Sequence, residues 1–419
     1  MKLEITHKKH IKGKVKISGS KNASLPLMVC SLLTTDQLIL NNIPNIVDIN
    51  NMIFLLKELG TNVKYNQKKK QLILQTTKIK PNLIISNMKR LRASYYLMGA
   101  LIGNNLEFSS YYPGGCSFMD RPINYHIKAF EILGYQVEEL DNVLNFKIDY
   151  DKLSNYHRVI NLEKKSVGTT INIMLASVKQ KYKTIIYNPS LEPEVIEVIK
   201  LLNLMGGYIE YNQEYIKIKG VERLHGTKFK VIYDRIEAGS YLLLGLTSKK
   251  VNMKIINVDD TYIKSILEVI SKMGGHCKIT KNKICLKCKS PLKGIDVIVD
   301  NYPSFPTDLQ QILTVLCAKA ITPSSITDNV YTNRFSQIKE LKKADGVVEI
   351  NNNTIYIYPS KLNSTILEAS DLRCGFACIL IATQSNGKTI INKAENILRG
   401  YESIIRKMKK IGVKIKIID

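Results

Sequence analysis

One pattern recurs six times along this chain and leaves few folds open to it. The segment IFLLKELGTNVKYNQKKKQLILQ reads as an amphipathic helix, a glycine near its end, then two short strands about a polar turn. It returns as AFEILGYQVEELDNVLNFKI, VIKLLNLMGGYIEYNQEYIKIKG, ILEVISKMGGHCKITKNKICLK, IKELKKADGVVEINNNTIYIYP and IIRKMKKIGVKIKIID. The helix-ending glycines are Gly60, Gly134, Gly206, Gly274 and Gly412; in the fifth copy Asp345 takes the place and Gly346 follows. Neighbouring copies lie 67 to 74 residues apart. Glycine there suits the left-handed residue that closes a helix, and the alternation after it suits a β-hairpin.

Between the hairpins lie apolar runs, among them LPLMVCSLLTT, ASYYLMGALIG, TTINIMLASVK and GSYLLLGLTS. Apolar on every side, they read as buried helices. They open after SGSKNAS, RLRAS, KKSVGTT and DRIEAGS. Free N–H groups and the helix dipole make such starts favourable places for an anion. Six units suit two globular α/β domains of three units each, and 419 residues suffice for two cores. The period is too long for a propeller or a leucine-rich horseshoe.

A net charge of +25 invites a nucleic-acid partner, but the lysines are spread along the whole length and their runs carry no interleaved aromatics. A solvated lysine-rich surface accounts for them better. The ten arginines among 61 basic residues stand out, several of them in LRAS, DRP, DRIEAGS, NRF, DLR and LRGY. Their planar, always-charged fork fits carboxylates and phosphates in a way lysine cannot copy. Cys285 and Cys288 form a Cys-x-x-Cys without a partner pair, inside a strand-like run, and Cys374 and Cys378 read as core. Neither metal binding nor a disulfide framework is expected. MKLEITHKKHIKGKVKISG lacks the apolar region of a secretion signal, and no apolar run reaches the length of a membrane span. A soluble intracellular protein is expected.

The motifs SGSKNASLPL, RLRAS, PGGCSFMDRP, KKSVGTTINIM, EPE, DRIEAGSY, FPTDLQQ, NRF, SDLR and RGYE follow one another over nearly the whole chain. Together they resemble the enolpyruvyl transferases, an EPSP synthase-like family, and within it the branch whose acceptor is UDP-N-acetylglucosamine. The resemblance implies two inside-out α/β barrel domains of three repeats each, in agreement with the repeat count. It implies a discontinuous domain of residues 1–20 and 233–419, carrying the base for the sugar 3′-hydroxyl and anion clamps. Residues 21–232 would form an inserted domain carrying the Cys116 loop, with the active site in the cleft between the two. The implied reaction moves the enolpyruvyl group of phosphoenolpyruvate to the 3′-hydroxyl of the sugar nucleotide and releases phosphate. That is the first committed step of peptidoglycan synthesis, run in the cytoplasm on two small-molecule substrates. It implies neither metal nor cofactor, and neither nucleic acid nor membrane.

Residue by residue, the resemblance implies that Lys21 and Asn22 hold the phosphoenolpyruvate. Arg92, Arg121, Arg373 and Arg399 resemble the anion clamps, the first two also near the sugar nucleotide. Arg121, Pro122, Ile123, Asn124 and Tyr125 resemble the uracil and diphosphate contact. Lys164, Lys165, Ser166, Val167 and Gly168 resemble a second nucleotide contact, at a helix start. Asp308 would bond the sugar 3′-hydroxyl as general base, and Val330 would contact the sugar. Cys116 resembles a proton donor that also forms an adduct with phosphoenolpyruvate and is captured by the epoxide fosfomycin. Gly114 and Gly115 would let its loop fold over the ligands. The pattern departs from the family's at Asn124, where Asp is usual, at Leu191 and Leu398, and at Asp345.

Two relatives in chemistry or fold compete with this reading. The shikimate-pathway sister, 3-phosphoshikimate 1-carboxyvinyltransferase, shares fold and donor but lacks the cysteine loop and KKSVGTT. An RNA 3′-phosphate cyclase would need a nucleophilic histidine, and none of the six has such a setting; His126, in the helix after the loop, reads as an orienting residue.

Overall fold

Each repeat becomes one four-stranded sheet and one buried helix in the computed structural model, which describes residues 1–6, 10–83, 86–114, 123–152, 157–248, 250–289 and 291–419. The third repeat shows the plan. Strand His157–Asn161 leads through the helix Val167–Ser177 to the parallel strand Lys183–Tyr187. A second helix, Pro193–Leu204, follows with most of its residues buried, and the hairpin Tyr208–Tyr211/Tyr215–Lys219 adds two antiparallel strands. Alternation sets the register: Ile160, Ile186 and Ile216 line up on the inner face, and Lys183 and Lys219 point outward. All six sheets share this strand order.

The described chain divides into two units, one joining residues 1–18 to 233–419, the other within residues 19–232. Each has its own continuous apolar core and three of the sheets. The buried helices are Lys21–Val29, Tyr96–Gly103 and Val167–Ser177 in the second unit, and Arg235–Leu246, Thr307–Cys317 and Leu372–Gln384 in the first. Helices lie within and sheets without, as the repeats require. Close helix packing shows at Gly103, where an added Cβ would lie 2.3 Å from the Leu175 carbonyl oxygen. Gly103→Ala is therefore expected to lower the thermal midpoint by several degrees, while Gly206→Ala, whose added Cβ meets nothing closer than 3.4 Å, is strained mainly by its backbone. Differential scanning fluorimetry reads both.

Three sheets borrow a strand from a distant part of the chain. His10–Lys16 pairs in parallel with Lys250–Ile256, and Lys228–Lys230 pairs in parallel with Leu38–Asn41. Within the first unit the Asp234 N–H donates to the Ser18 carbonyl, and within the second the Ser20 N–H donates to the Ile232 carbonyl. The sixth copy corrects the sequence reading. IIRKMKKIGVKIKIID supplies one strand, Lys414–Ile418, not a hairpin, and its partner is Lys2–Thr6 from the other end of the chain.

The helix-ending residues take the expected left-handed backbone, with φ from +86° at Gly412 to +99° at Gly206 and +65° at Asp345. Aspartate is among the few side chains that tolerate this region, and its Oδ2 accepts from Asn363 Nδ2 at 2.8 Å. The departure at Asp345 thus keeps the helix stop. Leu191 and Leu398 pack as partly buried side chains on the cores of their units. Cys374 and Cys378 are buried, their thiols toward the Glu368 carbonyl. Cys285 and Cys288 lie an odd number apart on the strand Lys283–Lys289 and so face opposite sides. Among the described residues no three potential metal ligands cluster, and no helix is long and apolar enough to cross a membrane.

Candidate active site

In the first unit the sequence-derived residues gather about one carboxylate. Asp308 stands in the first turn of the helix Thr307–Cys317. Its Oδ1 accepts from Arg334 Nη1 at 2.8 Å and its Oδ2 from Arg373 Nη2 at 2.7 Å. The arginine side chains are 4% and 5% exposed, the aspartate 24%, so the cations are held by protein while the anion meets solvent. Burial pushes the Asp308 carboxyl up, but Arg373 and Arg334 outweigh it and hold it well below the usual carboxylate range. The carboxylate is therefore ionised throughout the neutral range, unable to serve as an acid, and a weak base while both forks grip it. Burial pulls Arg373 down, and Asp308 more than restores it, so the guanidinium stays charged.

Further groups surround this clamp. Arg373 Nη1 donates to the Tyr401 hydroxyl (3.1 Å), which lies 2.8 Å from Ser240 Oγ, and the guanidinium sits over the Tyr401 ring. Asp371 caps the helix Leu372–Gln384, its Oδ1 accepting the N–H groups of Arg373 and Cys374. Asp328, fully buried, accepts from the N–H groups of Val330 and Tyr331 and from Thr307 Oγ1, tying the Val330 turn to the helix start beside Asp308. Arg399 ends a 3-10 turn, Ala394–Arg399, and a Cβ on Gly400 would press to 2.6 Å on Leu372 Cδ2. The RGY segment is thus seated on the helix start that bears Arg373.

In the second unit Lys21 and Asn22 open the helix Lys21–Val29, capped by the Ser20 hydroxyl, and Lys21 Nζ pairs with the buried Asp48 at 3.2 Å. Arg92 opens the turn Arg92–Tyr95, and its Nη1 donates to the Pro113 carbonyl at 3.0 Å. Gly114, next in line, lies so close that an added Cβ would stand 2.1 Å from the Lys89 carbonyl oxygen, which gives this glycine a packing reason of its own. Gly115, Cys116, Arg121 and Pro122 lie outside the described residues. Ile123 is buried ahead of the helix Asn124–Ile132, with Asn124 exposed and Tyr125 half-buried. Lys164 and Lys165 are exposed just before the helix Val167–Ser177. Ser166 caps it, accepting from the Thr169 N–H, and its first turn has no acidic residue. Gly168 is buried against Tyr95, whose hydroxyl an added Cβ would meet at 2.8 Å.

His126 is buried and its ring is held in one orientation. Its Nδ1 lies 2.8 Å from Asn172 Nδ2, which also donates to the Tyr95 carbonyl, so the network assigns Nδ1 as acceptor and the proton to Nε2. Burial, with Arg92 nearby, pushes its pKa down to about 3. A folded value below the unfolded one, about 6.5, gives stability that is present above pH about 6.5 and lost as the pH falls toward 3. NMR of the imidazole at pH 5 should show a neutral ring; titration near 6.5 contradicts this placement.

The expectation that each helix start can take an anion needs correction at DRIEAGS. Asp234 Oδ1 already accepts the N–H groups of Ile236 and Glu237, at 2.8 and 2.9 Å. A carboxylate cap fills the donors and repels a second anion. The starts capped by Ser20 and Ser166 carry no such charge. Asp371, Asp328 and Tyr401 are no part of the sequence-derived site, although SDLR and RGYE contain two of them, and Arg334 stands out there only as one of the arginines suited to an anion, with no role assigned. Arginine in a lysine-rich chain was the available signal for Arg334.

The family EPSP synthase (3-phosphoshikimate 1-carboxyvinyltransferase) matches residues 5–408. The protein named UDP-N-acetylglucosamine 1-carboxyvinyltransferase 2 of Listeria monocytogenes serotype 4b is 38% identical over 416 residues, 99% of this chain and 97% of that one. Its namesake in Streptococcus pyogenes serotype M3 is 36% identical, over 100% of this chain and 99% of that protein. Among solved structures, the enolpyruvyl transferase NikO from Streptomyces tendae superposes with a TM-score of 0.88 at 19% identity, over 99% and 98% of the two chains. EPSP synthase from Acinetobacter baumannii superposes at 0.74 and 15% identity, over the whole of both chains. At those identities the two structures speak for the fold.

Proposed function

We infer that this chain, which belongs to the EPSP synthase family of enolpyruvyl transferases, transfers the enolpyruvyl group of phosphoenolpyruvate to the 3′-hydroxyl of UDP-N-acetylglucosamine and releases phosphate. The observation that carries this is identity of 36–38% along essentially the full chain to proteins named for that reaction. The reaction feeds peptidoglycan synthesis. Its substrates are phosphorylated and do not cross a bilayer unaided, which supports a cytoplasmic location and no membrane partner.

The chemistry asks for an acid, a base and fixed cations. Protonation of the enol methylene by Cys116 leaves an oxocarbenium-like carbon. The sugar 3′-hydroxyl attacks it and passes its proton to Asp308. The tetrahedral ketal then breaks its bond to the phosphate oxygen and returns a methyl proton to the Cys116 thiolate, restoring the double bond and the thiol. Lys21, Arg92, Arg121, Arg373 and Arg399 answer the donor's carboxylate and phosphate, and Asn22 orients the reacting carbon. Ile123, Asn124, Tyr125, Lys164, Lys165, Ser166, Val167 and Gly168 receive the nucleotide, and Val330 the sugar.

The Asp308–Arg373 pair gives this reading its order of events. Arg373 is both a clamp for the donor anion and a partner of the base. An arriving carboxylate or phosphate shares the guanidinium, loosens its grip on Asp308 and raises the basicity of that carboxylate. Base strength thus rises when the donor is in place. Incubation with both substrates should yield a sugar nucleotide one carboxyvinyl group heavier by mass spectrometry; unchanged UDP-N-acetylglucosamine beside consumed phosphoenolpyruvate rejects the acceptor. Arg399→Lys should lower kcat/KM about tenfold or more, since one charge-assisted hydrogen bond is worth roughly 1.5–3 kcal/mol and lysine loses the two-pronged fit. Exposed Arg406→Lys should stay near wild type. Equal rates for the two remove Arg399 from the clamp.

A further inference from the structure

The clamp on Asp308 is held from behind by a second chain of hydrogen bonds. Ser336 opens the helix Ser336–Lys343, two residues after Arg334. Its hydroxyl donates to Asp371 Oδ2 at 2.7 Å and accepts from Gln311 Nε2 at 3.0 Å. Asp371 spends its other oxygen on the N–H groups that begin the Arg373 helix. Gln311 lies one turn beyond Asp308 on the same helix, so the two share a face. A ring results: Asp308 and Gln311 on one helix, Ser336 on the next, Asp371 and Arg373 on the third, and back to Asp308. Gln311 is fully buried, and among the described residues its amide oxygen has no hydrogen-bond partner. An unpaired buried carbonyl is costly, and the orientation that leaves it so is the one that sends the amide N–H to Ser336.

We propose that Ser336 is a positioning residue for the transferase reaction: through Asp371 it fixes the helix start from which Arg373 grips Asp308. This rests on the reading of Asp308 as base and Arg373 as clamp. The hydroxyl touches no reacting atom. It holds the Asp371 carboxylate in the one rotamer that caps Arg373 and Cys374 with one oxygen and meets Ser336 with the other. Without it, Asp371 keeps its cap but gains rotational freedom, and the guanidinium loses register against both Asp308 and the donor anion.

The test is a mutant cycle at fixed pH with thermal midpoints taken alongside. Ser336→Ala should lower kcat about threefold to tenfold, the range an ordinary net hydrogen bond supplies and less than the full worth of one to a charged group, because Asp371 keeps its cap on the helix start. Ser336→Thr, which keeps the hydroxyl, should retain most of the rate. In an Arg373→Lys background, Ser336→Ala should cost almost nothing more, because the residue it acts through is already displaced. A loss that simply adds to that of Arg373→Lys, or a threonine variant as slow as the alanine one, overturns the proposal; a fold-wide effect would give the same loss in both backgrounds. Should Arg373→Lys leave no measurable rate, the threonine and alanine variants decide. A wild-type rate in Arg373→Lys would instead remove Arg373 from the clamp, and the Ser336 role with it, while leaving Asp308 to be judged by its own variant.

Discussion

Asp308→Asn should lower kcat by about 10²- to 10⁴-fold, the range supplied by a positioned general base. Asparagine is close in size and keeps one oxygen acceptor, but it cannot take the proton of the sugar hydroxyl. The substitution also leaves Arg334 and Arg373, both nearly buried, facing a neutral amide. Removing one partner of a buried ion pair costs about 3–5 kcal/mol, and the exposed edge of Asp308 puts this case at or below the low end. The thermal midpoint should therefore fall too, by several degrees. Measuring binding of each substrate separates the effects: loss of the base lowers kcat with binding retained, whereas collapse of the clamp weakens phosphoenolpyruvate as well. A kcat within threefold of wild type ends the general-base role.

Cys116 carries the second large effect. A thiol has a reference pKa near 8.5, so at neutral pH it is mostly protonated and able to donate. Cys116→Ser should abolish turnover, because a hydroxyl is too weak an acid to replace it. Cys116→Asp retains turnover to the extent that its surroundings keep the carboxyl protonated, and its pH optimum then moves down. Neither variant keeps the soft sulfur nucleophile, so neither should gain the mass of fosfomycin after treatment with that epoxide. A pH–rate profile and intact-mass analysis read all of this. Full turnover by Cys116→Ser makes Cys116 a reactive bystander.

The repeats were legible in the sequence because their signals are local. Alternating side chains, an amphipathic helix and a left-handed stop each occupy one short segment, and even Asp345 kept the stop in place of glycine. What the sequence hid was anything closed by distant partners. Lys2–Thr6 completes a sheet whose other strands lie beyond residue 365. Arg373 meets Asp308 across 65 residues, a pairing no spacing rule predicts. The motifs brought both residues to notice, one as clamp and one as base, without saying that the clamp holds the base. DRIEAGS was misread for a local reason: an aspartate just before a helix is a cap first.

One assay tests the central claim most directly: phosphate release from phosphoenolpyruvate, with UDP-N-acetylglucosamine and with shikimate 3-phosphate as alternative acceptors. The account predicts steady release with the sugar nucleotide, none with shikimate 3-phosphate, and none with phosphoenolpyruvate alone. Release driven by shikimate 3-phosphate and not by the sugar nucleotide would contradict it.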